Sequence, residues 1–446
     1  MNPQRNDTEP ISKLYMNLAI PLVFSMVITL VYNLTDTYFV AATDNTALVA
    51  GVSLGAPVFT FLMALGNIFG QGGSSLLARL LGQNNREGGR HVSAWCFYLA
   101  LIVGLVIGVV MLAAQQPMLS LLGADPETYS YARDYYIWLS IGAPFVVGSF
   151  VHTNLLRTEG WAKDSMISTI GGAVVNIILD PILISVVGLG AAGAAIATVI
   201  GYIFTVLYSL YIVKKKSACL SVSVKEISIS GAFQGQILSV GLAAAVTNIM
   251  QSFGVVFLNQ ALLPYGNDKI AAMGIAIKVS LIVLMIITGL AFGGQPLFGY
   301  YFGAQNRKRL RQTIKFAATV ISGTAIGLSL LVFIFAEQML SVFMPDPTFI
   351  HAATPMLRLQ VVSMVFVGLI MLATVLFQSV GKALPALLLS LARQGVVFVG
   401  AIFLLAQTLG YDGILAAQAV SDVVTVILAG ILFYFQFYPL LRKERT

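Results

Sequence analysis

The sequence predicts an all-α polytopic membrane protein of twelve transmembrane helices, arranged as two six-helix lobes related by an internal repeat. Three observations carry this. Of 446 residues, 58% are hydrophobic and 10% are charged, and the mean hydropathy is +0.88. Apolar runs of the roughly 20 residues that cross a bilayer recur along the whole length, leaving no room for a soluble domain. Finally, the chain lies back on itself when shifted by 221 residues: Gly72-Gly73 falls on Gly293-Gly294, Gly82-x-x-Asn85-Arg86 on Gly303-x-x-Asn306-Arg307, Asp125-Pro126 on Asp346-Pro347, and Gly160-x-Ala162 on Gly381-x-Ala383. A half-length repeat in an apolar chain is a common plan for transporters.

The first six spans are expected at 17–42, 48–80, 91–114, 133–157, 164–187 and 191–213. The first is kept as a span although it lies near the N-terminus, because the run from Leu14 to Ala42 is longer than a signal-peptide core and no small-residue cleavage site follows a short core. The second exceeds what a bilayer requires, so tilt or extension is expected there. Gly82 and Asn85-Arg86 separate the second span from the third, Asp125-Pro126 precedes the fourth, and Gly160 closes the fourth. The other six, at 235–263, 269–302, 311–336, 354–378, 384–408 and 412–438, follow the same punctuation one repeat later. The polar stretch Lys214 to Ser230 divides the halves, giving an N-lobe at 1–213, a linker at 214–232 and a C-lobe at 233–446.

Most of the 25 lysines and arginines, Lys214 to Lys216 and Arg307 to Arg309 among them, gather on one set of loops. The positive-inside rule makes those loops cytoplasmic, with both termini inside a plasma (inner) membrane. Topology alone accounts for the net charge of +7, so nucleic-acid binding is not expected. Six spans per lobe start both lobes on the same side, as parallel repeats, for which alternating access is the natural mechanism. Cys96 and Cys219 form neither a disulfide framework nor a metal site. No cluster of nucleophile and base, or of ligands at metal spacing, points to an enzyme or to a cofactor.

Five ionisable residues fall within spans: Asp36, Asp180, Lys278, Arg393 and Asp422. Each costs roughly 2.5–3.5 kcal/mol at a helix centre and so needs a partner or a task. Asn176 and Asp180 are four apart and share one face of the fifth span; Thr198 lies on the sixth and Asp36 on the first. Carboxylate, amide and hydroxyl oxygens from three helices suit Na⁺, whereas a proton needs only the carboxylates. Two acids in a poorly hydrated cavity also raise the cost of ionising both. The bland reading of these acids is a hydrogen bond to a neighbouring helix. For Lys278, Arg393 and Asp422 a structural ion-pair network is expected, with Asp422 bound to Arg393 or Lys278.

The twelve spans in two repeats, Pro21 early in span one, Asp36 within Thr35-Asp36-Thr37 followed by Val40-Ala41, Asn176-x-x-x-Asp180-Pro181, and Thr198 eighteen residues after Asp180 together resemble the multidrug and toxic compound extrusion (MATE) family, in its DinF-like or MepA-like branch. The resemblance covers nearly the whole chain and implies a V-shaped pair of lobes. It further implies a cation site at Asp36, Asn176, Asp180 and Thr198, with Tyr32 and Asn154 as neighbours, coupling Na⁺ or H⁺ entry to export of amphipathic cations by a monomer in contact with membrane lipids. Other branches carry acidic ligands in spans seven and ten; here those spans offer Gln251, Asn259, Thr374 and Gln378. Coupling is therefore expected through the N-lobe. The alternative is a flippase for lipid-linked saccharide precursors, in which Lys278 and Arg393 would meet pyrophosphate.

Overall fold

A computed structural model describes residues 8–344 and 346–442. Among them are helices and no strands. Twelve helices are long and apolar enough to cross a membrane: α1 Ile11–Ala41, α2 Thr46–Gly82, α3 Arg86–Ala113, α4 Tyr129–Glu159, α5 Ala162–Val186, α6 Gly190–Lys216, α7 Gly231–Tyr265, α8 Asn267–Gly303, α9 Arg307–Ile334, α10 Pro347–Ser379, α11 Ala383–Leu409 and α12 Tyr411–Leu441. All twelve expected spans are present. Two short helices, Gln115–Leu121 and Ala336–Phe343, occupy corresponding loops before α4 and α10 and were too short to register as spans. The outer face of α3 exposes Ile102, Leu105, Val106, Val109 and Val110. A continuous apolar stripe of this kind marks a lipid-facing surface in a chain of this composition.

The repeat motifs are helix punctuation. Asn85 caps α3 by accepting a hydrogen bond from Gly88 N at 2.8 Å, and Asn306 caps α9 by accepting one from Arg309 N at 3.1 Å. The residues just before them, Asn84 and Gln305, take the same left-handed turn, at φ 58° and 56°. Asp125 Oδ1 accepts from Thr128 N at 2.8 Å, and Asp346 Oδ1 accepts from Thr348 N at 2.9 Å. Hydrogen bonds from Thr128 and from Thr348 hold these two exposed carboxyls below the usual carboxylate range. Gly160 and Gly381 end α4 and α10 at φ 107° and 80°, conformations that side-chain-bearing residues rarely adopt.

The chain packs as two units, residues 24–245 and residues 8–23 together with 246–442. The division falls inside α1 and α7, whereas the sequence places the lobe boundary in the linker. The glycine pairs explain the difference. In the first unit, Gly72 of α2 lies directly against the Ile237 carbonyl of α7, and Gly241 of α7 against the Ile68 carbonyl of α2. In the second, Gly293 of α8 lies against Ala19 of α1, and Gly289 against Val23. Missing side chains allow backbones to meet, so the opening segment of each unit's seventh or first helix is gripped at these points.

The expected 214–232 linker shortens to 217–230, because α6 runs to Lys216 and α7 starts at Gly231, and it is docked rather than free. Glu159, at the end of α4, accepts from Ser217 Oγ at 2.6 Å and from the backbone N–H groups of Ala218 and Cys219 at 3.0 Å each. Tyr98 donates to Val222 O at 2.8 Å, and Arg90 pairs with Glu226 at 2.8 Å.

Candidate functional site

In the first unit, α5 and α6 cross at two glycines. A methyl group on Gly172 would stand 2.6 Å from Gly201 O, and one on Gly201 would stand 2.7 Å from Gly172 O. This close approach positions the polar residues one turn away. Asn176 Nδ2 lies 3.3 Å from Thr198 Oγ1 and 3.4 Å from Asp180 Oδ1, so one amide bridges two helices. Both separations are longer than the usual 2.9–3.0 Å of an N–H···O bond. Asp180 is the last residue before Pro181, whose missing N–H interrupts the α ladder; α5 widens into a π-helical turn at Ile182–Val186.

Asp36 of α1 lies beside Asp180, and Tyr32, one turn earlier, lies beside Thr198. Asn176, Asp180, Thr198 and Tyr32 are buried and Asp36 is half-buried. Three oxygens here, Asp36 Oδ1, Asn176 Oδ1 and Asp180 Oδ2, are buried and accept no hydrogen bond. Buried acceptors are nearly always satisfied, so three on neighbouring side chains form an oxygen-rich locus suited to a hard cation or a proton. Beside it lies a cavity of about 130 Å³ lined by Tyr32, Asn176, Thr198, Tyr202 and further threonines.

Asn154 stands apart from this group. It donates to Phe150 O at 2.6 Å and accepts from Arg157 Nη2 at 2.6 Å, so its side chain is committed within α4. Two tyrosines that sequence reasoning missed flank the acids: Tyr135 of α4 and Tyr202 of α6. Tyr202 follows Thr198 by one helical turn, a spacing that could have revealed it. Tyr135 carries no such signal.

In the second unit, Arg393 Nε donates to Asp422 Oδ1 at 2.9 Å, and Gln418 Nε2 donates to the same oxygen at 3.1 Å. Ser421 Oγ donates to Arg393 O at 2.9 Å, at a π-helical turn of α11 spanning Ala392–Val396. Lys278 is not a member of this network. It is exposed, and among the described residues it has no carboxylate at ion-pair distance. The reason is helical phase: Ala276 and Ser280 are buried, and at 100° per residue Lys278, two positions from each, faces the opposite way. Gln251 of α7 and Thr374 and Gln378 of α10 supply amides and a hydroxyl to the unit interior.

Comparison with known proteins identifies the family and the fold. The family model MatE matches twice, at residues 21–182 and 243–404, once in each repeat. Relatives include Multidrug export protein MepA of Staphylococcus haemolyticus, 30% identical over 95% of this chain and 93% of its own, and MepA of Staphylococcus aureus strain MRSA252, 28% identical over 96% and 94%. Among solved structures, a MATE protein in complex with MaL6 is 26% identical, covers 99% of this chain and 100% of its own, and superposes with a TM-score of 0.94. The outward-facing form of a multidrug resistance MATE transporter is 27% identical, covers 100% and 99%, and has a TM-score of 0.93. With both repeats matched and the fold shared end to end, the chain is a multi-pass membrane protein that belongs to the MatE family of transporters, and it is not an enzyme.

Proposed function

We propose that this protein is a cation-coupled exporter of amphipathic cationic small molecules, working by alternating access as a monomer in the plasma membrane, with both termini cytoplasmic. The termini themselves lie outside the described residues. The observation that carries the reading is the meeting of Asp36, Asn176, Asp180 and Thr198 from three helices, with three buried oxygens that accept no hydrogen bond. Na⁺ is the ion that such a carboxylate, amide and hydroxyl set would coordinate; a proton would use Asp36 and Asp180 alone.

Coupling follows from charge balance. With both acids ionised, the adjoining hydroxyl-lined cavity favours a cationic guest, because charge attraction is strong where water is scarce. Entry of Na⁺ or H⁺ neutralises that charge and weakens the hold on the guest, which is released. The relatives named as multidrug export proteins support an amphipathic drug-like substrate. The flippase reading has less support: Lys278 does not line the cavity that Arg393 lines, so among the described residues the two cations expected to meet pyrophosphate do not share that cavity.

The test is ethidium efflux from proteoliposomes with the Na⁺ and proton gradients imposed separately. Acceleration by one of them, absent when both are collapsed, is expected. Gradient-independent equilibration of ethidium would overturn the coupling.

A further inference from the structure

The second unit contains a cavity of about 110 Å³, lined by residues of α7, α8, α10, α11 and α12, that differs in chemistry from the one beside the acids. Its polar lining includes four amides, Gln251, Gln360, Gln394 and Gln418, the Ser280 hydroxyl, and Arg393 with the Asp422 that holds it. Met364, Phe398 and Leu284 supply an apolar wall. We propose that this cavity binds the carboxylate of an amphipathic aromatic guest, zwitterions included, through the terminal nitrogens of Arg393.

The geometry of the arginine carries the inference. Arg393 is 5% exposed, and its guanidinium donates through Nε to Asp422, leaving Nη1 and Nη2 without an acceptor among the described residues. Neither terminal nitrogen is sealed from the cavity, unlike Asp422, which is 0% exposed with its Oδ2 enclosed. A guanidinium held by its Nε edge presents the other two nitrogens as a fixed fork, the shape that matches a carboxylate with two parallel hydrogen bonds. Asp422 neutralises the net charge, so recognition rests on hydrogen-bond direction, and charge-assisted bonds to a fork favour a carboxylate over its amide by about ten-fold or more.

Comparison of the repeats makes the device specific to this unit. Subtracting 221 from Arg393 and Asp422 gives Gly172 and Gly201, the pair at which α5 and α6 touch in the first unit. Where one repeat closes the gap with backbone, the other opens it and fills it with an ion pair facing a cavity. A buried pair is not required to join these two helices, since two glycines do so in the sister repeat. Gln251 and Gln394, which also line the cavity, offer amide groups to the guest's remaining polar atoms.

The experiment uses the full-length protein in detergent and coumarin-3-carboxylate as a fluorescent probe, with coumarin-3-carboxamide as its uncharged twin and ethidium as a cationic control. Anisotropy titration should show the carboxylate binding about ten-fold or more tightly than the amide. Arg393→Gln should abolish that preference and leave ethidium affinity within about two-fold; Arg393→Lys, which keeps charge but not the fork, should retain only part of it. The Arg393→Gln/Asp422→Asn double variant, which leaves no lone buried charge, supplies the same readout should the single variant fail to elute as a folded species. Equal affinity for carboxylate and amide in the unaltered protein, or a preference that survives loss of Arg393, would overturn the proposal. The acidic cluster plays no part in this measurement, so failure here leaves the coupling reading standing, and the reverse holds.

Discussion

Arg393 and Asp422 form their 2.9 Å ion pair at the two positions where the first repeat sets Gly172 against Gly201. One crossing is closed by an ion pair and the other by bare backbone, although both join the fifth and sixth helices of a six-helix unit. Breaking one partner of a buried pair strands the other charge and costs about 3–5 kcal/mol, more than the pair itself contributes. Arg393→Gln and Asp422→Asn should therefore each lower thermal stability in detergent strongly, and the double variant should recover part of the loss. Strictly additive losses would show that the two do not interact.

The glycine crossing gives the opposite prediction. Gly172→Ala would drive a methyl group into the Gly201 carbonyl, and Gly201→Ala into that of Gly172. Each should destabilise by about 1–3 kcal/mol through overpacking, and because Asn176 and Thr198 lie one turn away, each should also weaken efflux. Melting temperature and ethidium transport measured on the same preparations check both parts; unchanged melting would mean that the helices move apart freely.

Asp36→Asn and Asp180→Asn keep shape and remove charge. Each should abolish gradient-driven efflux while leaving folded protein in the membrane, since the ion would lose its counter-charge. Normal efflux with either variant would retire the acidic cluster as the coupling site.

Thr198→Ala separates the two ions. A hydroxyl coordinates Na⁺ but is dispensable for a carboxylate proton, so the substitution should raise the Na⁺ concentration needed for half-maximal efflux by about ten-fold, the equivalent of one lost ligand bond of about 1.4 kcal/mol, and leave proton-driven efflux nearly unchanged. An equal effect under both gradients would point to a packing role.

Glu159→Gln should loosen the linker. The carboxylate accepts from Ser217 and from two backbone N–H groups, and replacing it leaves an amide that matches them poorly, at a cost of about 1–3 kcal/mol. Faster trypsin cleavage at Lys214 to Lys216 or Lys225 is the expected readout; an unchanged rate would show the dock to be redundant.

The spans were legible because apolar length is a strong signal, and Asp36, Asp180, Arg393 and Asp422 were legible because charge inside an apolar run is conspicuous. That Asp422 needs a basic partner, either Arg393 or Lys278, followed from cost. The exclusion of Lys278 did not, because it depends on helical phase relative to a packed face, and periodicity is weak in helices that are apolar all round. Asn154 looked equivalent to other polar residues on a span until its bonds to Phe150 and Arg157 were seen. Tyr135 and the docking of the linker by Glu159 depend on contacts between distant parts of the chain, which no local pattern records.

The division of α1 and α7 between the packing units bears on any attempt to produce the halves separately. A polypeptide ending at 230 would contain Gly72 without the 231–245 segment that covers it, and one beginning at 231 would contain Gly293 without residues 8–23. Each fragment would carry an arm whose groove is on the other. Neither half is therefore a self-sufficient module, and the two should fold in the membrane only when co-expressed, each completing the other by exchange of one helical arm.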